Sequence, residues 1–561
     1  MVLLALVLSV ATTTWPTIPP TFWPPAPPSP RVAPKKGAPR PHIILHLTDD
    51  QGWANVGYHN PAHVITPTMD HLATKEGIRF ERHYAFQWCA PSRASLMTGR
   101  ESYHVLAARA GAGAGPGALP TAVTRGMTML PRKLQSVGYT THQIGKVRRS
   151  CLSPTRPHSF RYSLTTLLTA HLLFHQWHLG MTMAWQTPYG RGFNTSFGYL
   201  GGGEDHFTQN GMKQEWGCSG IDLWNTLRPA TKADNGTYGG YLYNDAAVRI
   251  IEQHPDPETT PLFIYLATQT MHNPVQVPAY YSDKYAMNTT FNYTKPYTIS
   301  NGMATVTDSI LANVTAALKR RGMWNRTLII HLSDNGGPVW KSMAWHANNF
   351  PLRGGKHTNW EGGVRVVAFA GGGFLPSSRH GMVLQGIMHN ADWYPTLAIL
   401  AGASPTDPPA PGVTTNKVPG VDGFDMWPYI TGKVEVSPRT EVVLDSTANG
   451  GIIVGDLKLI LGTQRFSFWQ APIYPNASGP ASSSPFVCGQ GCLFNVSADP
   501  SEYNDLAAER PDDVARLNAL FKARQATAFG PPHTTQDAAA CSAKVAALDG
   551  YLGPYYEFAK A

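Results

Sequence analysis

Three stretches of this 561-residue chain gather side chains that could do chemistry. Cys89–Arg100 reads C-A-P-S-R-A-S-L-M-T-G-R. Pro91 and Ser92 are helix-start residues, and Gly99 stops the helix after Ser95, Leu96 and Met97. Cys89 therefore falls at a helix N-terminus, where free N–H groups and the dipole favour an anion. Taken alone, that describes a reactive thiol or half of a disulfide equally well. The second stretch, His42–Leu47, reads as a short buried strand ended by Thr48-Asp-Asp-Gln-Gly52. The third, Thr327–Leu332, is another such strand, ended by Ser333-Asp-Asn-Gly-Gly337. In open α/β sheets ligands gather beyond the carboxyl ends of the strands, so Asp49, Asp50, Asp334 and Asn335 should converge there. Four oxygen donors without histidine suit a hard cation, calcium or magnesium, better than zinc. Asp and Asn also cap turns, and either strand end alone would imply no more than that. Both together, with the cysteine stretch, point to a metal-assisted site.

Positioning these groups requires a sheet. Pro67–Gly77 reads as helix, Ile78–Tyr84 as extended, Leu130–Gly138 as helix and Tyr139–Gly145 as extended. Tyr241–His254 is helical, Pro261–Thr268 extended, and Asn301–Gly322 a long helix before Thr327. This alternation predicts an α/β fold with a large, mostly parallel sheet covered by helices on both faces. Met382–Gly402 reads as helix, and Val421–Trp427 ends the main domain, placed at 42–435. Thr440–Leu444 and Gly451–Leu461 read as antiparallel strands, the second turning at Gly455-Asp456. Val514, Leu517, Leu520 and Phe521 share one face of a helix introduced by Pro511, Asp512 and Asp513. A smaller C-terminal α+β subdomain with an antiparallel sheet is therefore expected over 436–561.

With 42% apolar and 14% charged residues the chain is globular. The apolar run Val2–Val10 suits a signal peptide over 1–14, followed by a Pro-rich spacer over 15–41. No run of 18 apolar residues exists, so no membrane span is expected. N-x-S/T sequons at Asn194, Asn235, Asn288, Asn292, Asn313, Asn325, Asn476 and Asn495 fit an extracellular or lysosome-like destination through the secretory pathway. Cys218, Cys488, Cys492 and Cys541 can pair in several ways that sequence does not choose between. The net charge of +9 suggests a polyanion partner until its location is read. Arg31, Lys35, Lys36 and Arg40 lie in the spacer, and Arg148, Arg149, Arg156 and Arg161 lie in one odd segment. Without them the body is nearly neutral, which excludes nucleic-acid binding as its function.

The motif C-x-P-S-R followed by L-x-T-G-R resembles the signature of the sulfatase family. The resemblance extends from about Pro41 to the C-terminus. It is closest to the arylsulfatase B, or N-acetylgalactosamine-4-sulfatase, type through Phe197–Leu200 with Glu204-Asp205, through H-N-P-V-Q-V-P at His272, and through P-L-R-G-G-K with W-E-G-G-V-R around Lys356. It departs at His357, where those relatives carry an aromatic residue. The resemblance implies an alkaline-phosphatase-like fold, one Ca2+ held by Asp49, Asp50, Asp334, Asn335 and residue 89, and oxidation of Cys89 to formylglycine by a formylglycine-generating enzyme. The hydrated aldehyde carries two hydroxyls, of which one attacks sulfur as a covalent nucleophile. Arg93 holds the hydrate, and Lys146, His272 and Lys356 stabilise the sulfate oxygens. His178 takes the proton of the second hydroxyl, which expels sulfate and restores the aldehyde.

One feature breaks the pattern. In a sulfatase Gly138–Lys146 should run straight into W-H-L-G, which here is Trp177–Gly180. Val147–Gln176 stands between, thirty residues with four arginines and no Asp or Glu. Valine codons begin with GT, a CAG glutamine codon would supply an acceptor AG, and thirty codons keep the frame. A retained intron is the expected origin, with a genuine surface insertion as the alternative. If the insertion is genuine, a catalytically impaired, sulfated-glycan-binding homologue becomes the rival function. A phosphoryl-transfer enzyme of the same superfamily would need a histidine-rich two-metal site that these motifs lack.

Overall fold

The computed structural model describes residues 40–105, 118–120, 123–124, 126–146, 183–211, 217–232, 234–286, 295–339, 347–407, 418–473, 485–529, 533–535 and 537–555. The signal peptide, most of the spacer, the Val147–Gln176 segment with Cys151, and His178 all lie outside the described residues. So do Asn288, Asn292 and Asn476.

Seven consecutive buried residues, His42–Thr48 (β1), form the middle of a ten-stranded mixed sheet. The other strands in chain order are Gly77–Phe80 (β2), Thr140–Gly145 (β3), Thr195–Gly198 (β4), Trp224–Asn225 (β5), Arg228–Pro229 (β6), Leu262–Ala267 (β7), Thr327–Ser333 (β8), Ala368–Gly371 (β9) and Val383–Leu384 (β10). Their spatial order is β10-β2-β9-β8-β1-β7-β3-β4-β5-β6. Strands β8, β1, β7, β3 and β4 are parallel, and antiparallel pairings flank them on both sides. The two matching strand ends are register neighbours: His42 pairs with Thr327 and Thr48 with Ser333. Asp49 and Asp334 consequently leave the sheet side by side.

The continuous hydrophobic character of β1 has a simple cause: both of its faces are covered. Ile43, Leu45 and Leu47 pack with residues of Cys89–Thr98 (α1) and Leu130–Ser136 (α2), and with Trp393 and Leu397 of Trp393–Leu400. Ile44 packs on the other face with Leu242 and Ala246 of Gly239–Glu252 (α3) and with Val306 and Ile310 of Lys295–Arg320 (α4). Every residue of α1 is buried. It opens after an extended Trp88 and closes at Gly99, whose φ of 70° is the left-handed conformation that favours glycine.

The preceding short helix, Pro67–Thr74, is capped from outside itself. Thr66 makes no side-chain cap bond, and Asp308 on α4 instead accepts hydrogen bonds from the Thr68 and Met69 N–H groups at 3.2 and 2.7 Å. Asp308→Ala leaves one buried and one half-buried donor unpaired and is expected to cost about 1–3 kcal/mol in denaturant unfolding. Burial pushes the Asp308 carboxyl from 3.8 up to about 7, outweighing the pull of its N–H donors. A carboxyl with a raised folded-state pKa favours folding most below its unfolded value, so wild-type stability should fall as pH rises through that interval. Asp308→Asn should remove this component of the pH dependence; an unchanged profile would contradict the assignment.

Beyond the main sheet, Glu441–Asp445 (β11), Gly451–Val454 (β12), Leu457–Gln464 (β13) and Phe486–Asn495 (β14) form an antiparallel sheet in that order. The β12–β13 turn falls at Gly455-Asp456, as expected. Leu517 and Phe521 of the helix Pro511–Gln525 pack on it, with Val514 and Leu520 at the edge of the same cluster. Strand β14 was not legible beforehand, because its glycine-spaced F-V-C-G-Q-G-C start carries little strand preference. Disulfides join Cys488 to Cys492 and Cys218 to Cys541.

One expectation is corrected. Met382–Gly402 is helical only from Trp393 to Leu400, because Val383 and Leu384 pair with Arg79 and Phe80 as an edge strand. Asn194 is buried, and its Oδ1 accepts the Thr141 N–H at 2.8 Å. A glycan would be joined through the other amide atom, Nδ2, of this buried side chain. Asn325 is exposed, while Asn235, Asn313 and Asn495 are half-buried.

Candidate active site

The loops after β1 and β8 meet beyond the carboxyl ends of the two strands, where the first turn of α1 faces them. Asp50 adopts a φ of 61°, which turns its carboxylate back towards Asp334 and Cys89. Asp tolerates this left-handed conformation better than most residues. Asp334 Oδ1 accepts the Asp50 N–H at 3.2 Å, tying one strand end to the other. Gly336 follows because the chain passes hard against the next loop: a Cβ there would collide with the Gly362 carbonyl oxygen.

Asp49, Asp50, Cys89 and Asp334 are fully buried, and one ligand atom from each lies within 4.8 Å of the others. Cys89 Sγ stands 2.7 Å from Asn335 Oδ1 and 3.6 Å from an oxygen of each of Asp49 and Asp50. Asn335 Nδ2 donates to Asp50 Oδ1 at 2.8 Å. All five residues expected to surround a cation are thus brought together. Hard carboxylate and amide oxygens in a water-excluded cluster fit Ca2+ or Mg2+.

Cations ring the cluster. Lys146 Nζ pairs with Asp49 Oδ2. Lys356 Nζ lies 2.5 Å from Asp50 Oδ1, and His272 Nε2 lies 3.7 Å from Asp50 Oδ2. Arg93, one helical turn after Cys89, sends Nε to Asp334 Oδ2 at 2.8 Å and Nη1 to the Tyr265 hydroxyl at 3.3 Å. Its guanidinium is held above its ordinary range: burial opposes the charge, but the carboxylates of Asp334 and Asp49 with Tyr265 outweigh it. Arg93 therefore orients a cluster carboxylate in this structure, a contact its i+4 spacing alone does not reveal.

Sequence reasoning missed Tyr265 and the support behind His272. Tyr265 was detectable as the one polar tip in the apolar run of β7. His206 Nε2 reaches the His272 carbonyl oxygen at 3.1 Å, and the His206 N–H donates to Gln276 Oε1 at 2.9 Å. Glu204 accepts the Tyr243 hydroxyl at 2.5 Å, and burial pushes its carboxyl well above the usual range. Only proximity in space connects His206 and Tyr243 to the site.

A doubly covered α/β sheet with acidic groups, cations and a helix-opening cysteine at its carboxyl edge suits a metal-assisted site for an anionic group. The sulfatase family profile matches residues 41–403. The chain is 32% identical over 508 residues to arylsulfatase J of Mus musculus, covering 86% of this chain and 75% of that one. It is 27% identical over 538 residues to arylsulfatase A of Homo sapiens, covering 88% and 90%. Its fold matches the crystal structure of Ps i-CgsB in complex with k-i-k-neocarrahexaose at a TM-score of 0.65 and 24% identity, covering 88% of this chain and 94% of that one. The protein belongs to the sulfatase family, and its reaction class is hydrolysis of sulfuric esters.

Proposed function

We propose that the chain hydrolyses sulfate esters of sulfated sugars or aryl sulfates through a formylglycine at residue 89 and one bound Ca2+. The observation that carries this reading is the fully buried cluster of Asp49, Asp50, Asp334 and Asn335 around Cys89 Sγ. Those four side chains would hold the cation, which supplies positive charge against the sulfate oxygens and lowers the pKa of a bound hydroxyl. Lys146, Lys356 and His272 each face a cluster carboxylate, so they are in reach of an anion seated beside it and can stabilise its developing charge. Arg93 steadies Asp334 and the start of α1. His178 would act as the proton acceptor of the second half-reaction, as the family resemblance implies.

The group that bears the sulfate would meet the rim. Trp88 and His357 are half-buried, their ring centroids lie 5.7 Å apart, and they immediately flank Cys89 and Lys356. A planar aglycone or sugar ring suits such a surface. The finer likeness to the N-acetylgalactosamine-4-sulfatase type rests on the His272, Lys356 and Phe197–Asp205 motifs. Among the described residues no helix is long and apolar enough to cross a membrane. Two disulfides, an apolar N-terminal run and the accessible sequons support passage through the secretory pathway to an extracellular or lysosome-like site. Catalytic domain 42–435 and C-terminal subdomain 436–561 are the proposed division.

The test is turnover of an aryl sulfate by chain co-expressed with a formylglycine-generating enzyme, with the aldehyde verified by mass spectrometry. Chelation by EGTA should lower turnover by about 100-fold or more, and Ca2+ should restore it. EGTA should also lower the melting temperature, because a cation that binds only the folded state adds about 2.7 kcal/mol at 100 times its dissociation constant. Aldehyde-bearing protein indifferent to both EGTA and EDTA would remove the metal from the proposal, and loss with EDTA alone would replace Ca2+ by Mg2+. Sulfated-glycan binding without turnover remains the second reading, motivated by the thirty residues between Lys146 and Trp177.

A further inference from the structure

The loop Pro351–Arg365 presents Lys356 to the site, yet much of what holds it comes from the C-terminal sheet and the segments joined to it. The Gly354 N–H donates to the Phe468 carbonyl at 2.9 Å, and the Asn359 N–H to Gln464 Oε1 at 3.1 Å. Trp360 Nε1 donates to Ser467 Oγ at 3.0 Å, and the Arg353 guanidinium lies 3.7 Å over the Trp360 ring. On the other side the Lys356 N–H donates to the Gly337 carbonyl at 3.0 Å, next to the Asp334–Asn335 turn. The loop is thus clamped between the metal-site strand end and the C-terminal sheet.

At the centre of the clamp is a buried charge cluster that the site itself does not use. Lys458, on β13, is fully buried and places Nζ 2.8 Å from Glu361 Oε1 and 2.9 Å from Glu502 Oε1. Glu361 sits five residues after Lys356 in the same loop. Its own N–H donates to Glu502 Oε2 at 2.7 Å, and its Oε2 accepts the Tyr84 hydroxyl at 3.1 Å. One ammonium therefore bridges a carboxylate of the Lys356 loop and a carboxylate beyond β14. Without it, two buried carboxylates would face each other across a short gap. Such like charges repel strongly where water cannot screen them.

We propose that Lys458 is a positioning residue for sulfate recognition: by joining Glu361 to Glu502 it fixes the loop that sets Lys356 Nζ against the anion site. The C-terminal sheet then shapes the active site without touching substrate. This rests on the proposed role of Lys356 as a sulfate contact.

The experiment is a double-mutant cycle on the full chain between Lys458→Met and Lys356→Ala, at matched aldehyde content. It reads the dissociation constant of inorganic sulfate by calorimetry and kcat/KM for an aryl sulfate. A displacement of about 1 Å at a reacting group costs on the order of 100-fold, and Lys458→Met should lower kcat/KM by about that factor and weaken sulfate binding. In the Lys356→Ala background the same substitution should change either quantity by no more than about twofold, the scatter of a silent site. Equal losses in both backgrounds would show a merely structural role and overturn the inference. If Lys458→Met does not fold, Lys458→Met with Glu502→Gln removes the bridge and leaves Glu361 facing Arg365, whose Nη1 lies 3.6 Å from its Oε2, and the same comparison decides. Lys356→Ala without effect would overturn the sulfate-contact reading and this inference with it. Lys356→Ala with a large effect beside a silent Lys458→Met would overturn this inference alone.

Discussion

Replacing Cys89 by serine should lower steady-state turnover by about 10⁴-fold or more while leaving the protein folded and sulfated. The geometry makes the substitution informative. Cys89 Sγ faces Asn335 Oδ1 at 2.7 Å, so a serine hydroxyl would occupy the same position with an acceptor already present. It would still sit at the N-terminus of a fully buried helix, beside the cluster carboxylates. In the first half-reaction the serine oxygen bonds to sulfur, and the bond from sulfur to the alcohol oxygen breaks, releasing the alcohol with a proton. In the proposed mechanism the second half-reaction needs another hydroxyl on the same carbon to expel sulfate, and serine has none. Intact-mass measurement should therefore find a protein heavier by one SO3 group after incubation with an aryl sulfate. Cys89→Ala should give neither turnover nor adduct. A serine variant that turned over at the wild-type rate would exclude the aldehyde from the mechanism.

The second large effect concerns Val147–Gln176. Strand β3 delivers Lys146 to the site with little latitude. Gly145 has a φ of 85°, and a Cβ there would collide with the Ala267 carbonyl, so the strand end is pressed against β7. The Lys146 N–H donates to that same carbonyl at 2.6 Å, and Nζ pairs with Asp49. Deleting Val147–Gln176 would join Lys146 directly to Trp177 and restore the uninterrupted motif, with His178 two residues beyond a fixed point. The shortened chain should exceed the full chain in kcat/KM by about 100-fold or more, the cost of misplacing a reacting group. Sequencing transcripts across Lys146–Trp177 gives an independent measurement, and mature messages should lack the thirty codons. A shortened chain that carries the aldehyde and still fails to exceed the full chain would sink the retained-intron explanation and favour a functional insertion.

Much of the site was legible because its signals are local. A buried strand followed at once by Asp49-Asp50, and another followed by Asp334-Asn335, declare their chemistry through adjacent residues. The parallel pairing of β1 with β8 then converts matching sequence into matching position, since each strand delivers its acidic turn at the same level. Cys89 was legible for a similar reason: Pro91, Ser92 and Gly99 mark helix ends through backbone conformation alone. Where the reading failed, competition from distant segments decided. Val383 and Leu384 have an adequate helical pattern, but the edge of β2 offers backbone hydrogen bonds that a helix there would forgo.

By itself the sequence determined the inventory and the family: hard oxygen donors at two strand ends, a helix-opening cysteine between them, and lysines and a histidine in glycine- or proline-bounded loops. These follow from backbone preference and residue chemistry over a few neighbours. Only the tertiary structure decided which charge meets which. Arg93 and Asp334 are 241 residues apart, Lys356 and Asp50 306, and both pairs form because the sheet brings strand ends together. The Lys458 bridge is the same kind of fact. Local propensity carries no information about a partner a hundred residues away, and the energy of a buried ion pair exists only once packing has excluded water from both of its members.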